Sequence, residues 1–72
     1  MDEMQQTYIR THASRINNPE ISQAQKQNCK WRIAEALDFQ QKYTDFDRVN
    51  CSLTPAQEAE VMGIVAEVLT DD

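Results

Sequence analysis

Residues 19–46, PEISQAQKQNCKWRIAEALDFQQKYTDF, decide how the chain is read, because no other segment is long enough to serve as a spine for the rest. Wound as an α-helix at about 100° per residue, the stretch gathers Cys29, Ile33, Ala36, Leu37, Phe39 and Tyr43 into an arc of roughly half the circumference, which predicts the core face. On the same wheel Trp31 falls about 140° from the centre of that arc, among Gln27, Asn28, Glu35 and Asp38. The only Trp of the chain is therefore expected to point away from its own helix's core face. Either a partner covers it or another segment of this chain does.

Working outward, residues 2–16 place Met4, Tyr8, Ile9, His12 and Ile16 at helical spacing, with Asp2 as a candidate N-cap and Gln5 three positions on. Asn17-Asn18-Pro19 should stop this helix, since the residue before a proline is pushed out of the α region and Asn tolerates turns. Asn18 can then cap the next helix with Pro19 at its first position. A rival start lies at Ser22, where Ser-x-x-Gln reads as a capping box. Beyond Phe46 a connector around DRVNCSL is expected. Thr54-Pro55-Ala56-Gln57 is the clearest local signal, with Thr as N-cap, Pro at the first helical position and Gln at the third. The resulting expectation is an all-α three-helix bundle in one domain, with helices at 2–16, 19–45 and 55–69.

Composition agrees with helix: one Gly, two Pro and eight Gln among 72 residues favour it, since Gln loses little rotamer freedom there. A chain of this length has a thin stability margin and commonly leans on a partner subunit or on well-packed helices. The last helix is apolar over much of its circumference, which makes Val61, Ile64 and Val68 a candidate homodimer face.

Twelve acidic residues against seven basic ones give a net charge of −5, which repels nucleic-acid phosphates and anionic membranes at long range. No apolar run approaches a bilayer span and the first residues, MDEMQQ, are acidic and polar, so a cytoplasmic location is expected. Cys29 and Cys51 then read as reduced thiols. Their separation fits no zinc spacing, and His12 is the lone histidine.

Nothing in these residues names a reaction or a cofactor. His12 lacks a second histidine or an orienting carboxylate, and reads as an amphipathic or core-edge side chain. Glu60 and Glu67, two turns apart, read as a solvated strip rather than an acid-base pair. One Gly and one His cannot assemble a phosphate loop or a Ser-His-Asp set. Arg10, Arg15, Lys26 and Lys30 would suit a nucleic-acid-associated regulator only if dimerisation joined their patches, because the basic residues scatter around their helices. The carboxylates of the second half, Asp45, Asp47, Glu58, Glu60, Glu67, Asp71 and Asp72, raise the opposite idea of a nucleic-acid mimic.

The expectation that survives is a small non-enzymatic module that inhibits or modulates a larger cytosolic protein, of the kind found among accessory proteins of bacteria, phages or plasmids. Its contact set would be Gln27, Lys30, Trp31, Glu35 and Asp38, with the indole as anchor inside a polar rim. The competing expectation for Trp31 is that helix one or the connector folds over it and gives its N–H a partner.

Overall fold

The computed structural model describes residues 2–70 and is all-α. Its helices are α1 (Glu3–Ile16), α2 (Gln23–Ala36), the single turn α3 (Phe39–Lys42) and α4 (Pro55–Thr70). Among the described residues the only β-type pairing is one antiparallel bridge between Asp47 and Ser52.

Each long helix starts on a reciprocal cap. The Asp2 carboxylate accepts from the Gln5 backbone N–H at 2.7 Å while Gln5 Oε1 accepts from the Asp2 N–H at 3.3 Å. The same exchange joins Ser22 to Gln25 and Thr54 to Gln57. Such boxes satisfy two of the N–H groups that a helix start leaves without intrahelical partners. Of the two starts open to the second helix, Ser22 is the one used, and Pro19 does not begin it. The Asn18 side chain accepts from the Glu20 N–H at 2.9 Å, which closes residues 18–20 into a turn and delays the helix.

The expected spine of residues 19–45 is not continuous. It breaks after Ala36, where the Leu37 N–H reaches both Ile33 O and Ala34 O and Asp38 takes a left-handed conformation at φ 61°, ψ 37°. Asp tolerates that region better than most residues. The reason for the break is packing. The side chains that α2 buries are Cys29, Trp31, Ile33 and Ala34. Continuing the same helix would point Phe39 about 180° away from the middle of that set. Turning the chain at Asp38 brings Phe39 into the core, where it is 1% exposed.

The core is built from Ile9, Ala13 and Ile16 of α1, Cys29, Ile33 and Ala34 of α2, Phe39 of α3, and Val61, Val65 and Val68 of α4. Spacings of four and three residues on α1 and α4 are those of a single buried helical stripe. α1 packs on both α2 and α4, and α2 packs on α4. Because α4 meets two helices, Val61 and Val68 are buried and Ile64 is partly buried against the same core. Those three residues therefore do not form the exposed dimer face expected of them. Cys29 and Cys51 are free thiols, the first buried and the second exposed. No helix of the described residues is long and apolar enough to cross a membrane.

Candidate functional site

Trp31, expected to face outward, is buried at 8% exposure, and the connector between α3 and α4 is what covers it. Its indole N–H donates to the Asp47 carbonyl at 2.9 Å, and the Phe46 ring lies parallel to it with centroids 5.5 Å apart. An N–H and a ring face satisfied within the chain leave little for a partner. On α2 Trp31 does stand off the line of Cys29 and Ile33, but Ala34 beside it is buried as well, and it is the returning chain that covers the indole.

The connector is shaped for this by one carboxylate. Asp47 accepts from the Val49 N–H at 3.0 Å, the Asn50 N–H at 2.9 Å, the Asn50 side-chain amide at 3.1 Å and the Ser52 hydroxyl at 3.0 Å. These bonds curl residues 47–52 into a tight loop in which Cys51 has φ 55°. They favour the charged carboxylate, with the Asn50 backbone N–H contributing most, so Asp47 stays below the usual carboxylate pKa range.

Further ties hold the connector and α3 against α2 and α4. Lys30 meets Glu58 at 2.8 Å, Lys42 meets Glu60 at 2.7 Å, and the Tyr43 hydroxyl donates to Glu60 at 2.7 Å. Buried Gln57 donates from Nε2 to Asp45 at 3.0 Å while its Oε1 serves the Thr54 cap. Glu35 lies 3.7 Å from Arg48. The hydrogen bond from Lys30, then its charge, lowers the Glu58 pKa, and the bonds from Lys42 and Tyr43 lower that of Glu60. The same Glu60 contact raises both Lys42 and Tyr43.

The contact set expected from the sequence is thus taken apart. Lys30, Trp31 and Glu35 bind the protein's own connector and α4, Asp38 is exposed at the helix break, and Gln27 is exposed beside a polar cleft that includes Asn50, Ser52 and Glu58. The acidic residues of the second half are dispersed in the same way. Asp45, Asp47, Glu58 and Glu60 are engaged internally, Glu67 is exposed apart from them, and Asp71 and Asp72 lie outside the described residues. Lys30 is neutralised by Glu58, and Arg10 and Arg15 stand about 140° apart around α1, so no continuous basic stripe forms. Among the described residues no three His, Cys, Asp or Glu side chains converge on a point that could hold a metal ion.

Among the described residues the large apolar side chains open to solvent are Met4 and Tyr8, neighbours on the outer face of α1, with Val49 on the connector and Leu69 near the end of α4. Met4 is 84% exposed and Tyr8 38%, and with Glu3, Thr7, Thr11 and His12 they form an open strip along one helix. Helical spacing predicts Met4 and Tyr8 on one face with Ile9, His12 and Ile16. In the fold only the last three turn inward, because Met4 sits about 140° from Ile9 around the helix. Tyr8 is held by its neighbour: the rings of Tyr8 and His12 stack at 4.2 Å, and His12 Nδ1 lies 2.9 Å from the Tyr8 carbonyl. A carbonyl only accepts, so Nδ1 carries the proton and the imidazole is fixed at the edge of the strip. Met4, Tyr8, Thr7 and Thr11 at spacings of three and four were the available signal for this second stripe. The apolar residues of the inner stripe masked it. Compared with protein-family models, with curated proteins and with solved structures, the chain matches none.

Proposed function

We propose that this chain is a small, acidic, non-enzymatic binding protein that modulates a larger protein, docking through the outer face of α1 around Met4 and Tyr8. The observation that carries the reading is the exposure of Met4 beside a stacked Tyr8 in a chain that turns its Trp and both Phe side chains inward. Met and Tyr are residue types enriched where proteins meet, and a Tyr pinned by a neighbouring ring loses little freedom on docking. The complementary surface is apolar with a basic margin, since this end of α1 carries Asp2 and Glu3 and the chain as a whole is at −5. Occupying such a surface would occlude it, which is inhibition or regulation in the sense expected of an accessory protein.

The test compares immobilised wild type, a Met4→Asp, Tyr8→Asp double variant and a Val49→Asp control at the exposed tip of the connector, each exposed to extract of the native cell. A protein retained by wild type and by the control, and lost with the double variant while its circular dichroism is unchanged, supports the reading. Identical retention by all three, or loss with the control alone, retires it. A dimeric mass by light scattering that the double variant alone abolishes assigns the face to self-association and also retires the larger target.

A further inference from the structure

A second cleft, of about 330 Å³, opens between the last turn of α1 and the early turns of α2 and is lined by Arg15, Ile21, Gln25, Asn28, Cys29 and Arg32. On α2 the four residues follow the i, i+3, i+4, i+7 rule and form one strip. Cys29 is its buried floor and Ile21 a half-buried wall, while Arg15 and Arg32 are exposed.

The charges here differ from those that hold the connector and α3 against α2 and α4. Lys30, Lys42 and Arg48 each lie against a carboxylate, whereas no described residue pairs with the Arg15 or Arg32 guanidinium. None of the lining residues is acidic. Glu35, one turn beyond Arg32, is drawn toward Arg48. The Gln25 amide is also oriented as a donor. Gln25 Oε1 accepts from both the backbone N–H and the hydroxyl of Ser22, which leaves its Nε2 protons to donate. Arg15 also offsets the dipole at the end of α1, but Arg32 has no such duty.

From this arrangement we infer that the cleft binds a phosphate monoester. Two planar guanidiniums and amide donors with no competing carboxylate match a compact dianion that presents three peripheral oxygens, and each fork can take two of them. A long polyanion is the poorer fit, because it would meet the repulsion of the remaining surface at −5, whereas a single phosphoryl group meets only the local field. The cleft, between the end of α1 and α2, shares no lining residue with the face around Met4 and Tyr8, so either can fail without the other.

Inorganic phosphate, titrated at constant ionic strength and pH 7.5 and followed by NMR of the side-chain N–H signals, is the probe. Saturable shifts at Arg15, Gln25, Asn28 and Arg32 are expected, with Arg15→Gln and Arg32→Gln each weakening the midpoint by about tenfold through loss of one fork and leaving circular dichroism unchanged. Arg32→Lys, which keeps the charge and loses the fork, should fall between. O-phosphoserine should reproduce the shifts and serine should not. Shifts that stay linear to tens of millimolar, a range typical of non-specific ion contact, or that persist in both Gln variants, would overturn the site. Tighter binding of an oligonucleotide without terminal phosphates would overturn the monoester.

Discussion

Met4 and Tyr8 on α1 and Trp31 on α2 are all apolar side chains that a helical wheel separates from the main line of Ile, Val and Ala residues, yet the first two stay in solvent and the third is sealed. The difference is not in the helices. α2 is followed by a break at Asp38 and a connector that doubles back, so Phe46 and the Asp47 carbonyl land on the indole. No described segment returns across the outside of α1. Exposure of an off-stripe side chain is thus set by where the chain goes next, and an amphipathic pattern is silent about that.

The sharpest way to break the comparison is to remove the covered side chain. Trp31→Ala takes away a buried indole with its ring partner and its hydrogen bond, a change that costs about 3–5 kcal/mol in well-packed cores. A chain of this size has roughly that much stability in total, so the variant is expected to be unfolded by circular dichroism at 25 °C. If it stays helical and merely loses a binding partner, the connector is not holding Trp31 and the contrast with α1 collapses.

A smaller effect tests the clasp. Asp47, Glu58 and Glu60 all have pKa values below their ordinary ones because their charged forms are hydrogen-bonded in the fold. Their stabilising contribution is therefore complete above the usual carboxylate range, about 4, and is lost as pH falls from there through the lower folded values. Acidification should red-shift Trp31 emission and open it to iodide before helicity is lost. Asp47→Asn, which cannot accept all four bonds as an anion, should lower the melting temperature at neutral pH and flatten that acid response. An indole whose emission is indifferent to both would show that Phe46 alone holds the connector down.

The smallest effect belongs to the exposed side. Met4→Ala is expected to change stability by no more than about 0.5 kcal/mol in urea unfolding, since the side chain is 84% exposed and makes no core contact. A larger loss would mean that this face is covered in solution, by the rest of the chain or by a second copy.

Much of the fold was legible without coordinates. The caps at Asp2, Ser22 and Thr54 were all present as local patterns, as were the spacings of Ile9 and Ile16 and the helical extent of α4. The candidate site was far less legible. Gln27, Lys30, Trp31, Glu35 and Asp38 share the polar side of a wheel, but Lys30 and Glu35 find opposite charges from residues 28 and 13 positions further along, and Trp31 finds a carbonyl 16 positions on. Val61 and Val68 fall on the other side from the one expected: with Val65 they are the stripe of α4 that α1 and α2 cover.

Sequence alone therefore determined the helical class, the starts of α1 and α4 and the inward placement of Ile9, His12 and Ile16, because capping and 3.6-residue periodicity act between residues three or four apart. Tertiary structure alone decided that the central helix ends at Ala36, that Trp31 lies inside and that Met4 and Tyr8 lie outside. Those outcomes follow from which distant segments compete to bury Phe39, Phe46 and the indole together. No short-range pattern carries that information, since an αL residue such as Asp38 costs too little locally to mark the place in advance.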